Sequence, residues 1–499
     1  MWIKNFFRGK RSVNLPLYLY NTLGKGKQPF ALPPFARTVR MYNCGPTVYD
    51  VQHIGNLSMF VFADTLRRVL EYNNFSVKQV INITDVGHLT SDSDDGEDKM
   101  TTGLEREGME LTLANMYELG ERYTKIFLKD ITFLNIDISK ITFPRASAYI
   151  PAQIALISTL EEKGYAYKAG DGVYFDTSRC KSYGILGGIN LEQTRDNARI
   201  TSKSTKRNLA DFALWKFSGR IESSTKTDVL GWNSPWGRGF PGWHTECSAM
   251  IRSTLGEQID IHTGGIEHIS IHHNNEIAQS EAATGKRPLS RFWMHRAHLQ
   301  LDGAKLAKSK GRAICLSDVL ERGFHPFALR YFFLGAHYRT TSNFTWEALQ
   351  ASQTAYLRLR SFADNAHGDG VVPIPYQRLI HERFNDDLDI PGAFAVIWEM
   401  AKSTKLSPQD IRAGLLDADK VLGLNLGRED KKAEMALTKQ FGKRMDFNEL
   451  PQEIQNMINE RADARKTKNW SYADGLRKQL SDRGYTLEDS AEKTIVFKK

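Results

Sequence analysis

Four side chains in this sequence have the chemistry of a transition-metal site. His272 and Glu276 are four residues apart in a stretch that predicts a helix, so their side chains share one face of it. Cys44 follows a predicted strand, and Cys247 lies in the second half of the chain. Thiolate, imidazole and carboxylate groups are all ligands that zinc accepts in proteins. The pattern indicates a zinc site, but its spacing admits His273 as well as His272, and a lone cysteine or histidine is more often a core or surface residue.

Residues 53–56, HIGN, open a predicted helix directly after a predicted strand. The free N–H groups and the partial positive charge of a helix N-terminus favour phosphate binding there. Gly55 would let a ligand approach the backbone closely, and His53 and Asn56 can both donate hydrogen bonds. A histidine at this position is more often a helix cap, so the tetrapeptide alone is a weak indication.

A second phosphate-binding candidate is the segment of residues 305–311, KLAKSKG, in which Lys305 and Lys308 stand beside Ser309 and a glycine. Two lysines on a loop can grip a triphosphate and supply positive charge as negative charge develops on a leaving group. A basic loop alone is usually just solvated. Its combination with HIGN, in the other half of the predicted sheet, indicates an ATP site far more specifically than either segment does.

These segments fall at the ends of predicted elements. Residues 39–48 predict a short strand, residues 59–70 have apolar positions at helical spacing, and residues 78–83 predict the next strand. Strand, helix and strand in this order form a parallel βαβ unit, and Thr84 then lies at a strand end, where open sheets bind ligands. We predict an α/β protein with a Rossmann-type nucleotide-binding parallel sheet split by an insertion, followed by an α-helical bundle and a small C-terminal module.

Composition narrows the class of protein. The net charge of +9 over 499 residues favours a polyanionic partner, although solubility alone would also explain it. With only four scattered cysteines, a disulfide framework is not expected, and Cys180 and Cys315 are predicted to be core residues. No apolar run reaches membrane-spanning length, and the first fourteen residues are basic without a secretory signal. We expect a cytoplasmic protein.

Long ordered motifs then resemble one family. YNCGPTVYDVQHIGN, NITDV, KRNLADFALWK, GWHTECSAM, IHTGG, HHNNEIAQSEA, KLAKSKG and NERADARKTKNWSYADGLRKQL occur in this order between Leu17 and the C-terminus. This pattern resembles the cysteinyl-tRNA synthetases, which are class I aminoacyl-tRNA synthetases. The resemblance implies ATP-dependent activation of L-cysteine to cysteinyl-adenylate and transfer to tRNA(Cys), with release of AMP and pyrophosphate. It further implies one Zn²⁺ per chain, Mg²⁺ with ATP, and a monomer.

The resemblance also implies roles for individual residues. The implied zinc ligands are Cys44, Cys247, His272 and Glu276. The implied cysteine-binding residues are Gly45, Thr84, Trp243 and Glu267. The implied ATP-binding residues are His53, Gly55, Asn56, His262, Gly264, Gly265, Lys305, Lys308 and Ser309, of which His53, Asn56, Lys305 and Lys308 would be catalytic. The chain departs from the family's usual HIGH, KMSKS and HHENE motifs and has Arg312 and Glu267 where asparagine and aspartate are common, but it keeps each implied metal ligand and both lysines.

The same resemblance suggests a division of the chain into six parts. They are a basic N-terminal extension (1–16), two halves of the catalytic domain (17–149 and 236–315), a connective insertion (150–235), a stem-contact region with a helical bundle (316–430) and an anticodon-binding module (431–499). In the last of these, residues 460–478 are rich in lysine and arginine around Trp470. We expect this stretch either to bind tRNA or to be a solvated amphipathic helix.

Three other functions are weighed against this one. A ligase that joins cysteine to an amino sugar would keep the catalytic half, but such ligases look truncated in the helical and C-terminal regions. A zinc hydrolase would need an open metal position with a water and a nearby base, which the paired ATP segments give no reason to expect. A non-catalytic RNA-binding relative would not need His53, Lys305 and Lys308.

Overall fold

The computed structural model describes most of the chain. The described residues are 15–86, 99–187, 206–218, 230–301, 304–305, 313–364, 366, 368–428, 430–431, 443–445, 447–467, 469–489 and 494–498.

The described residues contain both strands and helices throughout. The strands are β1 Tyr18–Asn21, β2 Gly26–Pro29, β3 Thr38–Asn43, β4 Ser76–Ile81, β5 Ile141–Thr142, β6 Ala166–Lys168, β7 Gly172–Phe175, β8 Phe212–Phe217, β9 Gly239–Pro241, β10 Ile259–Gly265, β11 Ser290–Arg296, β12 Leu299–Leu301, β13 Ala304–Lys305, β14 Ser342–Phe344, β15 Lys443–Met445, β16 Tyr485–Asp489 and β17 Thr494–Lys498. The α-helices are α1 Ile54–Tyr72, α2 Lys99–Arg106, α3 Leu113–Phe133, α4 Ile150–Glu162, α5 Trp243–Thr254, α6 His272–Thr284, α7 Leu316–Glu321, α8 Pro326–Leu334, α9 Trp346–Asp364, α10 Ile374–Asn385, α11 Ile390–Ala401, α12 Pro408–Leu422, α13 Gln452–Lys466 and α14 Trp470–Asp482.

A five-stranded parallel sheet is the centre of the fold. Its order is β11-β10-β3-β4-β5, and every neighbouring pair is parallel. Strands β3 to β5 precede residues 143–258 in the chain, whereas β10 and β11 follow them, so the sheet is split as predicted. Because β10 lies beside β3, the two halves meet in the middle of the sheet, where the crevice at the carboxyl ends of the strands is a ligand site in open α/β folds.

The N-terminus of helix α1 lies at this crevice. It begins where Nδ1 of His53 accepts a hydrogen bond from the backbone N–H of Asn56 over 3.1 Å. Its apolar residues, among them Leu57 and Val61, are fully buried against the sheet. The helix ends at Tyr72, and the chain then turns into β4.

The segment between the two sheet halves has its own small sheet. Strands β6 to β9 pair antiparallel in sequence order, and helix α4 precedes them. The run FALWKF of β8 buries its first four side chains, since both faces are covered by neighbouring elements. Helix α5 then leads the chain into β10 of the parallel sheet, and helix α6 leads it from β10 into β11.

Helices α7 to α12 pack onto the sheet domain through a shared core. One hydrophobic cluster takes its members from residues 17–141 and 261–426, and most buried apolar residues between them form a second cluster. Within it, the buried guanidinium of Arg330 donates hydrogen bonds to Asp64 of α1, to the carbonyl oxygen of Leu134 and to that of Leu422. A buried charge is costly unless it is paired in this way, so Arg330 joins three distant segments at one point.

The C-terminal module is separate in its packing. Strands β15, β17 and β16 form an antiparallel sheet beside α13 and α14. Its buried apolar side chains, from Leu450 to Val496, form a cluster of their own. The predicted helical bundle and small terminal module are therefore both present, and the predicted fold class is confirmed.

Two smaller expectations concern buried and apolar residues. Cys180 and Cys315 are buried, as predicted for core residues. Among the helices that the structure describes, none is long and apolar enough to cross a membrane.

Candidate functional site

The candidate metal ligands converge from three elements. Cys44 directly follows β3, Cys247 lies on α5, and His272 and Glu276 lie one turn apart on α6. One ligand atom from each of the four side chains lies within 4.8 Å of all the others. Three of the side chains are buried and Cys44 is half-buried, so a bound ion would be shielded on one side and accessible on the other.

The rival histidine is close enough to form a second candidate set. Cys44, His262, His273 and Glu276 also place their ligand atoms within 4.8 Å of one another. Nε2 of His262 lies 2.8 Å from one oxygen of Glu276, and Nδ1 of His273 lies 2.8 Å from His295. The distances alone therefore allow either His272 or His273 to be a metal ligand.

The environment of His272 favours the first set. Its Nδ1 lies 2.8 Å from His244, but its buried Nε2 makes no hydrogen bond, even though Oε1 of Glu276 is only 2.8 Å away. An imidazole nitrogen and a carboxylate oxygen that converge from one face of a helix suit a pair of ligands for one cation. A hydrogen-bond partner on the other ring nitrogen, here Nδ1 of His244, fixes the ring orientation of a metal-binding histidine.

Cys247 and Glu276 are poised in the charge states that metal ligands need, whereas burial raises the pKa of the Cys44 thiol well above its usual value. A hydrogen bond from Cys44 lowers the pKa of Cys247 to about 6, against the effect of burial. Burial would raise the pKa of Glu276, but the neighbouring imidazoles of His262 and His272 outweigh burial and hold that pKa well below its usual range. The cluster therefore carries an anionic thiolate and an anionic carboxylate, which suit a soft or borderline divalent cation.

The cluster opens into a cleft of about 390 Å³ at the carboxyl ends of β3, β4 and β10. Eleven of the residues implied by the sequence line it, namely Cys44, Gly45, His53, Asn56, Thr84, Trp243, Cys247, Gly264, Gly265, Glu267 and His272. Metal ligands and phosphate-binding candidates thus share one cavity. His262 and His273 are fully buried and are not among the residues that line it.

Some implied ATP-binding residues are placed differently or not at all. His262 is not brought to the cleft, because its ring stacks on Trp293 and its Nε2 is engaged by Glu276. Gly55 lies in the first turn of α1 and is not among the residues that line the cleft. The backbone of Lys305 pairs with Gln300 in a short hairpin. Lys308 and Ser309 lie outside the described residues.

The wall beside Cys44 is held by a chain of hydrogen bonds. The backbone N–H of Gly45 donates to Oδ1 of Asn82 over 2.8 Å, and Nδ2 of Asn82 donates to Oγ1 of Thr84 over 3.2 Å. A Cβ at Gly45 would stand only 1.5 Å from the carbonyl oxygen of Asn82, so no larger residue fits here. The hydroxyl of Thr84 in turn donates to the buried carboxyl group of Glu246.

Similar proteins were found over the full length of the chain. It is 43% identical over 487 residues to cysteine–tRNA ligase 1 of Burkholderia lata, with 97% of each chain covered. It is 38% identical over 506 residues to the cysteine–tRNA ligase of Treponema denticola, covering 96% of this chain and 99% of that one.

This chain belongs to the cysteine–tRNA ligase family.

Two family models match separate parts of this chain. Residues 32–354 match the class I (C) tRNA synthetase catalytic domain, and residues 448–495 match the cysteinyl-tRNA ligase anticodon-binding domain. The fold is similar to that of methionyl-tRNA synthetase from Mycobacterium tuberculosis bound by methionyl-adenylate, with a TM-score of 0.53 at 13% identity, covering 80% of this chain and 87% of that one. The full-length match to cysteine–tRNA ligases and the matched terminal domain both disfavour the truncated ligase considered from the sequence.

Several residues of the site in this family member were not found from the sequence. Asn82 and Glu246 each stand close in the chain to an implied site residue, Thr84 and Cys247 respectively, which was the available signal. Lys99 and His268 line the cleft but come from segments without a recognised motif. Their place in the site depends on how α2 and the end of β10 pack, which periodicity does not reveal.

Proposed function

We propose that the chain activates L-cysteine with ATP to cysteinyl-adenylate in the cleft, and transfers the cysteinyl group to tRNA(Cys) with release of AMP and pyrophosphate. The observation that carries this proposal is one shared cavity. The donor atoms of Cys44, Cys247 and His272 open into the same cleft as the N-terminus of α1, which His53 caps. A thiol-selective site and a phosphate site within one cleft suit the activation of a thiol amino acid.

We infer that Cys44, Cys247, His272 and Glu276 hold one Zn²⁺. The set fits because it combines soft and borderline donors with an unsatisfied Nε2 on His272, and because it faces the cleft. Bound there, Zn²⁺ supplies a preference for a thiolate over a hydroxyl, since a serine side chain is a weaker ligand and resists deprotonation. Pocket fit alone discriminates poorly between such similar side chains.

The remaining residues bind and orient the substrates. Thr84, Gly45, Trp243 and Glu267 surround the space beside the metal ligands, where the amino acid backbone would lie. His53 caps α1 through Nδ1, and its side chain lines the cleft in which ATP would lie. The partial positive charge at the N-terminus of α1 favours the phosphates.

Adenylate formation is an in-line displacement. An oxygen of the cysteine carboxylate attacks the α-phosphorus of ATP. The bond from that phosphorus to the bridging β-phosphate oxygen breaks, and pyrophosphate leaves with the electron pair. Mg²⁺ bound with ATP would supply positive charge to the phosphates. Asn56 and the glycines Gly264 and Gly265 line the part of the cleft next to the α1 terminus, where they would position the nucleotide. Lys305 and Lys308 are the proposed lysines for the triphosphate, and Ser309 lies beside them. Catalysis of this kind depends mainly on positioning and charge stabilisation.

A basic cleft next to the C-terminal module suits the RNA backbone. Its cavity of about 770 Å³ lies between α9, α11 and the terminal module. The charged residues that line it are all cationic, namely Arg358, Lys402, Arg465 and Arg477, and Phe362 and Trp398 provide aromatic surface. Cationic groups beside aromatic rings bind phosphates and unpaired bases of RNA without sequence preference. We propose that tRNA(Cys) contacts this cleft.

The division of the chain into six parts, given above from the resemblance, is retained as a proposal. In it, residues 17–149 and 236–315 perform activation, residues 316–430 contact the tRNA stem, and residues 431–499 bind the anticodon. We also propose that the enzyme acts as a monomer in the cytoplasm. A reducing compartment suits a site that needs Cys44 and Cys247 as thiolates, and none of the four cysteines, all within the described residues, forms a disulfide.

X-ray absorption at the zinc edge tests the metal proposal directly. We expect one ion per chain, and we expect one more sulfur ligand after cysteine is added than before. Serine should leave the spectrum unchanged. Cys180→Ser is the matched control, because Cys180 is a buried free thiol outside both candidate sets. A constant number of sulfur ligands would mean that the metal is structural.

Pyrophosphate exchange tests the activity. Cysteine-dependent exchange without tRNA, together with tRNA(Cys) charging, is expected from this function. A ligase for a small acceptor would give exchange but no charging, and a hydrolase or a non-catalytic relative would give neither.

A further inference from the structure

The side chains that line the cleft carry little positive charge compared with the negative charge of the proposed substrates. Adenylate formation brings a carboxylate and a triphosphate together in it, yet Lys99 is the only lysine or arginine among the described residues that line it. No motif pointed to Lys99, and neither the metal nor the ATP candidates include it. Concentrated negative charge in a partly enclosed cleft needs a positive group at the reacting atoms, because such groups act most strongly where water is excluded.

Lys99 is held in place by the helix that it begins. Helix α2 buries Met100 and Leu104. Gly103 packs so closely that a Cβ there would stand 3.1 Å from the side chain of Tyr49. At the other end of α2, Arg106 donates to the carbonyl oxygen of Tyr49 over 2.8 Å.

The contact between α2 and the wall of the cleft is therefore firm. Arg106 also lies 2.9 Å from the carboxylate of Asp50, which adds an ion pair to the same loop. Tyr49 itself lines the cleft. The backbone that carries Lys99 is thus fastened to the substrate-facing loop at two points, which limits the movement of its ammonium group relative to the site.

The direction of the Lys99 side chain follows from Trp243. The ammonium nitrogen lies 5.9 Å from the centroid of the indole ring, within the range of a cation–π contact. The same indole ring lies 4.2 Å from the imidazole of the metal-ligand candidate His272, measured between centroids. His272, Trp243 and Lys99 therefore lie in succession along the cleft, from the metal site outward.

This order matches the shape of the amino acid. If the cysteine sulfur is at the metal site, its carboxylate is three bonds away and lies further along the cleft. The Lys99 side chain then occupies the end of the substrate where the carboxylate meets the α-phosphate.

We propose that Lys99 is a further catalytic residue whose ammonium group contacts the reacting carboxylate and α-phosphate oxygens during adenylate formation. The proposal rests on the proposed activation of cysteine by ATP. As the carboxylate oxygen bonds to the α-phosphorus and pyrophosphate leaves, negative charge concentrates on the non-bridging α-phosphate oxygens. Lys99 donates hydrogen bonds to them and keeps its proton throughout, so no proton transfer is involved.

The test compares Lys99→Met with Lys99→Arg in the full-length enzyme. Methionine preserves the length and the contact with Trp243 but removes the charge, whereas arginine preserves the charge. We expect the kcat of pyrophosphate exchange to fall roughly 100- to 1,000-fold in Lys99→Met, a typical loss for one charge-stabilising donor. The KM for cysteine and the zinc content should change little, and Lys99→Arg should recover a large part of kcat. Lys125→Met is the control, since that side chain is 74% exposed on α3.

Two further measurements keep the outcome decisive. Added ethylamine should raise the exchange rate of Lys99→Ala in a saturable manner, because it restores an ammonium group to the cavity. An unchanged kcat in Lys99→Met, or loss of zinc and of cysteine affinity in both Lys99→Met and Lys99→Gln, overturns the proposal, the latter by showing a merely structural role. Failure of the proposed function is distinguishable, because the wild-type enzyme would then show no cysteine-dependent exchange.

Discussion

The hydroxyl of Thr84 donates a hydrogen bond to the buried carboxyl group of Glu246, whose pKa burial raises well above its usual value, with 3.0 Å between Oγ1 and Oε2. That bond uses the only proton of the hydroxyl. Nδ2 of Asn82 donates to one of its lone pairs. The Thr84 side chain lines the cleft, so the other lone pair of its hydroxyl can accept a hydrogen bond from the substrate. Its proton is already used and cannot be donated there.

Thr84→Val should therefore weaken the binding of the cysteine ammonium group. A hydrogen bond to a charged group contributes about 1.5–3 kcal/mol, so the KM for cysteine in pyrophosphate exchange should rise roughly 10- to 100-fold. Thr84→Ser keeps the hydroxyl and should stay near wild type. Glu246→Leu should resemble Thr84→Val, because it frees the hydroxyl to rotate. A KM that is unchanged in Thr84→Val would show that Thr84 does not bind the amino acid.

The two candidate metal sets can be separated with a pair of neighbouring histidines. His272→Ala removes a proposed ligand, whereas His273→Ala removes a residue that does not line the cleft. We expect His272→Ala to lose most of its zinc during dialysis against a mild chelator. His273→Ala should retain close to one ion per chain, with affinity reduced by no more than the 10- to 100-fold typical of an outer-shell partner. Equal metal loss in the two variants, or greater loss in His273→Ala, would favour the other set.

Asp64 gives the fold a predictable dependence on pH. Burial would raise its pKa, but Arg330, Arg68 and Arg67 outweigh burial and lower it to about 2. Because the folded pKa lies below the unfolded value near 4, the stabilisation is complete above pH 4 and is lost as the pH falls toward 2. The difference corresponds to about 2–3 kcal/mol in the free energy of unfolding.

The matched variant for this prediction is Asp64→Asn. At pH 7 it should be less stable by about 3–5 kcal/mol, since it leaves buried arginines without their counter-charge. Urea unfolding at pH 7, 5, 4 and 3 measures the gap from the wild type. The gap should narrow by about 1 kcal/mol between pH 7 and pH 3, whereas a gap that is constant with pH would contradict the lowered pKa.

Substitutions in the basic cleft next to the terminal module should affect only transfer to tRNA, not adenylate formation. Arg465→Glu and Arg477→Glu should leave pyrophosphate exchange unchanged but lower kcat/KM for tRNA(Cys) charging. Removing one phosphate contact should also reduce the salt dependence of binding by about one unit of slope. Lys466→Glu is the control, because Lys466 neighbours Arg465 but its side chain is 77% exposed and it does not line the cleft. Equal effects of all three substitutions would reduce the role of the cleft to general surface charge.

Residue spacing predicted those parts of the site that depend on a single element. His272 and Glu276 share a face because a helix repeats every 3.6 residues, and His53 begins a helix because its ring can cap one. Residue type and position made Cys44 and Cys247 candidates, but nothing local to a cysteine shows which distant helix it meets. Only the resemblance implied the complete ligand set.

Contacts across elements account for what the sequence did not reveal. The resemblance implied an ATP-binding role for His262, yet its ring stacks on Trp293 and its Nε2 lies 2.8 Å from Glu276. Its direction is decided by the alternation of side chains along β10 and by the helix that covers that face. Lys99 and Glu246 enter the site through packing between helices, for which the sequence carries no periodic signal.

The separate core of the C-terminal module has a consequence for fragment complementation. Apolar side chains of residues 17–141 and 261–426 pack in one cluster, and Arg330 joins three of its segments. A cut inside either range would leave two pieces that each expose core. Residues 450–496 bury a cluster of their own. The chain therefore has a natural point of division between residues 431 and 443, where a two-piece enzyme could be reassembled from separately expressed polypeptides. Such a split enzyme would allow the affinity between the two pieces to be tuned, and with it the rate of tRNA charging relative to that of adenylate formation.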